Sequence, residues 1–343
     1  MRSVYDPDAP ALTRRHFGLL AVGAAAAVVS AGVPLESKAA GALEVGGGGF
    51  ASWHEYTTPT AGFAPGFVTV DAGDRVWYDD GWGNHIVSFP SSAPASFVEY
   101  DLGPGRPGVS RLVPAPDGTV WFNDISNGGM GKLDPASGAV TAFPFSGRFD
   151  WGSSPVVGAD GAIWFGWDAA GGLGRLALDG SITSFPVHPG SGFYHLVAGD
   201  DGRIWFTVDG YGSIGALDIV TGATEMFPVG PGNFSGIAKV ADGSLWVARP
   251  NLLQKVSLSG SVVAVAPIIE PPFVYTEPSS LCAGSDYELY FVAGAHGMGR
   301  IEPDGSVAFF APPFTGASVG CLAVTSTNSL WYTDLGRHTI GNI

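Results

Sequence analysis

Histidines that lie close to a repeated tryptophan motif are the residues of this chain best suited to acid–base chemistry. His195 directly precedes the apolar run Leu196-Val197-Ala198, whereas His85 and His338 each lie a few residues after a copy of the motif. An imidazole exchanges its proton near neutral pH, so each is a candidate general base or acid. The candidate catalytic residues are therefore His195, His338 and His85, although each of them could instead be a solvated loop residue.

Three aspartates occupy the same place in three copies of the motif, three residues after its aromatic anchor. They are Asp80, Asp124 and Asp334. Carboxylate oxygens are preferred ligands of Mg²⁺ and Ca²⁺, so the three residues predict a site for one of these cations if the fold gathers them. The alternative is that each aspartate caps the backbone of its own loop, in which case no cofactor is expected.

Cationic and aromatic side chains provide candidates for ligand binding. Arg111 and Arg249 could orient an anionic group through their guanidinium forks, and Tyr194 and Trp167 could stack on a ligand. These residue types predict a small-molecule, peptide or sugar ligand as the partner.

The motif that places these residues reads Asp-Gly-x-hydrophobic-Trp-aromatic in its clearest copies, such as Asp160–Phe165 and Asp201–Phe206. Seven copies recur with a period of about 42 residues, which is typical of propeller blades. Asp-Gly turns between apolar runs are strong hairpin signals. The anchors are Trp77, Trp121, Trp164, Trp205, Trp246, Tyr290 and Trp331.

Each repeat contains four short runs, and the pattern predicts an all-β, seven-bladed β-propeller of four-stranded antiparallel blades. The seventh repeat stops after its third run, and residues 53–57 have the character of a fourth run. We therefore expect this N-terminal strand to complete the last blade and to close the ring, which removes exposed sheet edges. The candidate residues above would then gather on the face with the longer, more variable loops.

The composition and the N-terminal residues limit the classes of protein to which the chain can belong. The chain has 52 glycines in 343 residues, which disfavours a helical fold, and its net charge of −15 disfavours nucleic acid and anionic membranes as partners. Arg14-Arg15 followed by an apolar stretch resembles a twin-arginine export signal. We expect residues 1–42 to be this signal, 43–52 a glycine-rich leader and 53–343 the propeller, a monomer exported to the periplasm, cell wall or medium.

The two cysteines, Cys282 and Cys321, lie at corresponding places in adjacent repeats. Export would permit a disulfide between them, and two buried free thiols are the alternative. The sequence leaves both open.

The repeat resembles the streptogramin lyase (virginiamycin B lyase) family over the whole chain from about Trp53. Residues 331–334, Trp-Tyr-Thr-Asp, and 339–343, Thr-Ile-Gly-Asn-Ile, are the segments that carry the resemblance most closely. The resemblance implies a lyase that eliminates across the ester of a cyclic depsipeptide, with a histidine base and glutamates that hold Mg²⁺. Family lyases have Glu-Pro-His at the start of the last blade, where this chain has Val319-Gly320-Cys321. The sixth blade starts with Glu277-Pro278-Ser279, so the resemblance makes Glu277 a further candidate for substrate binding.

Three functions are compatible with the sequence. The first is a divergent metal-dependent lyase that cleaves an ester-type C–O bond in a cyclic or peptide-like substrate. The second is a non-catalytic extracytoplasmic propeller that binds a ligand or a protein, and the third is a Ca²⁺-dependent hydrolase of the gluconolactonase-like kind. Fold alone cannot choose among them.

Overall fold

The architecture comes from a computed structural model of the chain. The described residues belong to the compact unit that spans Ser37–Ile343, whereas the other unit, Met1–Glu36, lies outside them. The expected export signal and most of the leader therefore also lie outside. The described residues are 52–59, 63–81, 83–103, 108–145, 153–167, 171–187, 195–208, 211–268, 279–284, 289–294, 297–302 and 304–343.

The described residues form seven four-stranded antiparallel sheets, which confirms the predicted seven-bladed propeller. The first strand, β1 (His54–Thr57), belongs to the last blade. The first blade contains β2 (Val68–Val70), β3 (Arg75–Asp79), β4 (His85–Pro90) and β5 (Val98–Asp101). The second contains β6 (Val109–Pro114), β7 (Val120–Asp124), β8 (Gly129–Asp134) and β9 (Ala139–Pro144). The third contains β10 (Val156–Val157), β11 (Ile163–Trp167), β12 (Gly172–Leu176) and β13 (Ile182–Pro186).

The remaining blades have the same strand order. The fourth contains β14 (Leu196–Ala198), β15 (Arg203–Val208), β16 (Ser213–Asp218) and β17 (Thr224–Pro228). The fifth contains β18 (Gly236–Lys239), β19 (Leu245–Arg249), β20 (Leu252–Val256) and β21 (Val262–Pro267). The sixth contains β22 (Ser279–Ala283), β23 (Leu289–Val292), β24 (Met298–Ile301) and β25 (Val307–Phe310). The seventh contains β26 (Val319–Val324), β27 (Leu330–Asp334) and β28 (Thr339–Asn342), with β1 as its outermost strand.

The anchor tryptophan of the motif stacks on an aromatic ring of the outermost strand of its own blade. Ring centroids lie 5.0–5.8 Å apart in five blades, at angles that range from 24° to 38°. Such offset pairs add about 0.5–1.5 kcal/mol to the burial of the rings. Each stack therefore ties the second strand of a blade to its fourth across the intervening strand. The pairs are Trp77–Tyr100, Trp121–Phe143, Trp164–Phe185, Trp205–Phe227 and Trp331–Tyr56.

The residue after the anchor is also aromatic in most blades, and it lies over a glycine of the third strand. In the fourth blade Phe206 is the direct cross-strand partner of Gly215, and a Cβ on Gly215 would lie 2.1 Å from the Phe206 ring. The glycine is thus required by close approach of a ring. The same arrangement recurs in Phe122–Gly131, Phe165–Gly174, Phe291–Gly299 and Tyr332–Gly341.

The strand exchange predicted from the sequence closes the ring. β1 pairs antiparallel with β28, with Tyr56 opposite Ile340. Tyr56 stacks on Trp331, and Glu55 pairs with Arg337 at 2.9 Å. The innermost strands β26 and β2 are in contact, so the seventh blade packs against the first. The hydrophobic clusters lie largely between such neighbouring blades; one of them unites Val76, Phe89 and Trp331.

We predict that Tyr56→Ala will weaken ring closure, at a cost of about 2 kcal/mol in the free energy of unfolding from the lost stack. Tyr100→Ala is the matched control, because Tyr100 stacks on Trp77 at the same 5.8 Å centroid distance but lies within one continuous blade. Hydrogen exchange should accelerate in residues 339–342 for the first variant and not for the second. Equal exchange in the two variants would contradict a special role for the closing strand.

We predict that Gly215→Ala will destabilise the fold by about 1–3 kcal/mol, since the added methyl must displace the Phe206 ring. Met226→Ala serves as the control, because Met226 pairs with Gly215 from the outer strand and its side chain is exposed. Denaturant titration gives both values, and a stability loss no larger than the control's would overturn this role of the glycine.

Candidate functional site

The innermost strands of all seven blades surround a cavity of about 270 Å³ on the propeller axis. Its polar lining includes Arg111 from the second blade, Ser154 from the third, His195 from the fourth, Ser280 from the sixth and Cys321 from the seventh. The cavity therefore unites residues that lie far apart in the chain.

Irregular backbone aims two of these side chains. The pairing of β6 with β7 shifts register between Ser110 and Val113, and Arg111 in this bulge has φ +54°. The sixth blade has the same irregularity, where Ser280 has φ +47°. Positive φ is unfavourable for residues other than glycine, and strained bulges are frequent beside functional sites.

Arg111 links three adjacent blades. Its Nη1 donates a hydrogen bond to Ser154 Oγ at 3.1 Å, and its guanidinium carbon lies 3.9 Å from the centroid of the Phe67 ring. Burial lowers the pKa of His195 and the positive charge of Arg111 adds to this effect, whereas at Asp79 the same charge opposes the rise in pKa that burial causes. Arg111 is therefore the cationic centre of the cavity.

His195 is held by its backbone at the start of the fourth blade. Its N–H donates to Thr207 Oγ1, its carbonyl accepts from Thr207 N–H, both at 3.1 Å, and it bridges in parallel to Ser154. Burial, assisted by Arg111, lowers the His195 pKa to about 3. The imidazole is thus neutral at physiological pH and offers one donor and one acceptor.

A buried polar residue two positions after the anchor fixes the start of the inner strand, and the sequence reasoning missed this role. Thr207 does so for His195, and Thr333 Oγ1 accepts from Cys321 N–H at 3.0 Å. Asp79, only 1% exposed, accepts from Phe67 N–H and Gly81 N–H, each at 2.9 Å. Burial raises the Asp79 pKa to about 7, against the lowering effect of these hydrogen bonds and Arg111. The available signal was a polar residue at this position in several repeats.

The three predicted metal ligands each cap their own loop. Asp80 accepts from His85 N–H and lies 2.9 Å from His85 Nδ1, and Asp124 accepts from Asn127 Nδ2 at 2.8 Å. Asp334 accepts from Gly336 N–H at 3.0 Å and Arg337 N–H at 3.1 Å in its own turn, and also from Ser318 N–H of the preceding loop at 2.8 Å. Across the described residues, no group of three or more His, Cys, Asp or Glu side chains is placed to hold a metal ion. These aspartates therefore make the contacts expected of the capping alternative.

The other predicted catalytic and aromatic residues lie elsewhere. His85 and His338 are not among the described residues that line the cavity, and His338 is exposed in the β27–β28 turn. Trp167 packs against Phe145 and Phe165 at centroid distances of 5.7 and 6.2 Å.

The remaining predicted binding residues and the two cysteines are not all gathered at one site in the described part of the chain. Tyr194 and Glu277 lie outside the described residues. Arg249 is buried at the end of β19 and does not line the cavity. Both cysteines are free thiols, and burial raises the Cys282 pKa.

The fold defines a seven-bladed propeller whose axial cavity is lined by residues at the inner strands of the blades. The model of the virginiamycin B lyase family matches residues 45–248 and 96–343, and the chain belongs to this family. The search of curated proteins gave no match. Within the described residues, no helix has the length and hydrophobicity needed to cross a membrane.

Solved structures share the fold at low sequence identity. A streptogramin B lyase is 24% identical with a TM-score of 0.73, covering 84% of this chain and 96% of its own. A catalytically inactive virginiamycin B lyase from Staphylococcus aureus with quinupristin is 22% identical with a TM-score of 0.74, covering 85% and 98%. The extracellular domain of a hybrid two-component system from B. thetaiotaomicron is 11% identical with a TM-score of 0.61, covering 81% of this chain and 40% of that one.

We predict that acid weakens the fold through His195. Because its folded pKa of about 3 lies below the unfolded value near 6.5, the unfolded chain binds the additional proton between these pH values. This contribution to stability is therefore complete above pH 6.5 and is lost as the pH falls towards 3, by at most about 1.4 kcal/mol per pH unit. His195→Gln should flatten the pH dependence of the unfolding free energy, measured by denaturant titration at pH 7 and 4.5. The exposed His338→Gln is the control, and equal pH dependence in both variants would contradict the burial of a neutral His195.

Proposed function

We propose that this member of the virginiamycin B lyase family binds a small anionic ligand, such as a carboxylate, in the axial cavity. The observation that carries the proposal is the position of Arg111, a cation held in a strained bulge and braced by Phe67 and Ser154. An arginine fork is the side chain best matched to a carboxylate. Neutral His195 adds hydrogen-bonding capacity near the cation, since it bridges to Ser154, the partner of Arg111.

The size of the cavity supports a small ligand. Its volume of about 270 Å³ lies just below the range of about 300–1,000 Å³ usual for drug-sized ligands. Leu112, Ile237 and Leu322 contribute apolar surface to the same lining. A small organic acid with an apolar body fits this combination, and a macrocycle would have to lie above the cavity on the loops.

The proposed place of action is outside the cytoplasm. The Arg14-Arg15 pattern and the apolar stretch that follows it support export, and two-component sensors with the same fold use it in an extracellular domain. If the protein senses or captures a ligand in that compartment, the site only has to bind the ligand and does not have to catalyse a reaction.

A second candidate, a carbon–oxygen lyase, is favoured by family membership together with a neutral imidazole beside a guanidinium. His195 would take the proton from the carbon α to a carbonyl, the electron pair would form a C=C bond, and the adjacent C–O bond would break to release the ester oxygen as a carboxylate. Arg111 would stabilise the developing oxyanion. A base with a pKa of about 3 is weak for this task, because efficient proton transfer needs a pKa near the working pH. Ligand binding is therefore the function that the site supports better.

We predict that Arg111→Met will weaken binding of a small carboxylate about 10–100-fold, the value of a hydrogen bond to a charged group. Calorimetry with a set of carboxylic acids and their neutral amides measures the loss, and the wild-type protein should prefer the acids. Arg75→Met is the matched control, as it removes a guanidinium that does not line the cavity. Equal binding of acids and amides would refute the proposal.

Mass spectrometry after incubation with a cyclic depsipeptide such as quinupristin tests the second candidate. Elimination opens the ring without a change of mass, whereas hydrolysis adds one water. The rate should be flat from pH 5 to 8, because His195 stays neutral over that range, and His195→Ala should abolish it. Turnover that survives His195→Ala would exclude His195 as the base.

A further inference from the structure

A second guanidinium, that of Arg249, is buried in the fifth blade. Its side chain ends β19, and the residue is only 8% exposed. None of the ion pairs among the described residues includes it. Burial accordingly lowers the pKa of Arg249. A buried charge without a partner is costly, so a protein that retains one needs a compensating interaction.

Among the described residues, the guanidinium donates its hydrogen bonds through Nη1. Nη1 donates to Val229 O at 3.1 Å and to Gln254 Oε1 at 2.8 Å, and Gln254 Nε2 donates to the same carbonyl at 3.1 Å. Nε is buried, and it has no hydrogen-bond partner in the described part of the chain. The Nε–Nη2 edge, which presents two parallel N–H groups, therefore remains available for a planar oxyanion. Phe234 lies 5.8 Å from the guanidinium carbon and braces the group from one side.

Two glycines lie next to this edge, and because they have no side chain they leave it uncovered. Gly230 and Gly232 flank Pro231 in the loop between the fourth and fifth blades, with φ +119° and +121°. A Cβ on Gly230 would lie 2.8 Å from Nη1, and a Cβ on Gly232 would meet only Nη2 at 3.4 Å and Nε at 4.0 Å. The loop at residues 231–233 is exposed. The space that a side chain of Gly232 would fill thus connects the Nε–Nη2 edge to an exposed surface.

We propose that the Nε–Nη2 edge of Arg249 binds a carboxylate beneath the Gly230–Gly232 loop, at a site separate from the axial cavity. The net charge of −15 repels anions from the protein as a whole. The attraction for a carboxylate must therefore come from Arg249 itself. Lysine could not replace Arg249, since an ammonium cannot present two parallel N–H groups to a carboxylate.

The test uses acetate and inorganic phosphate as probes, each compared with chloride at equal ionic strength. Arg111→Met is the background, so that binding in the axial cavity does not contribute. Acetate at about ten times its Kd should raise the melting temperature by about 2–4 °C, and Arg249→Lys added to this background should lose most of the shift. Loss of the shift in the Arg249 variant alone separates this site from the axial cavity.

Hydrogen exchange keeps the test decisive if substitution of Arg249 prevents folding. In the Arg111→Met protein, acetate should slow exchange at the amides of residues 230–236 and leave those of residues 108–114 unchanged. Protection by phosphate without protection by acetate would overturn the assignment to a carboxylate. An absence of protection by either anion would overturn the site itself.

Discussion

The stack between the anchor tryptophan and an outer-strand ring is the interaction on which the propeller depends. It ties the second strand of a blade to the fourth, and in three blades the indole N–H also donates to the aspartate of the preceding turn, as Trp77 does to Asp71 at 2.8 Å. This fixes the sheet internally and leaves its faces free to pack on neighbouring blades. The stacks lie away from the innermost strands, and it is these strands that carry bulges and polar residues.

The cavity depends on a difference between the inner strands, which are irregular, and the outer parts of the blades, which contain the aromatic stacks. Bulges in the inner strands place Arg111 and Ser280 at its wall, while buried polar residues such as Thr207 and Asp79 hold the backbone on either side. The strain therefore sits in the innermost strands, where ligand contacts are made, and the stacks lie further out.

The repeat predicted the fold because period, turn chemistry and aromatic anchors all point to one architecture. His195 lies at the axis because it directly precedes the inner strand β14. The three aspartates follow second strands, and each of them accepts hydrogen bonds from the loop that comes after it. Arg111 was predicted to bind a ligand, but its contacts with three blades depend on a bulge. No local sequence pattern predicts such a register shift. The orphaned edge of Arg249 likewise depends on the path of a neighbouring loop.

The exchange of strands at the seam has a consequence for biosynthesis. The partner of β1 is β28, so the earliest strand of the propeller must wait through the synthesis of the whole ring before it can pair. A chain emerging from the ribosome can stack its blades one by one, yet its two ends meet only after Asn342 has left the exit tunnel. Until then β1 is an unpaired strand that could join the wrong sheet, and the emergence of β28 becomes the step that commits the molecule to a circle.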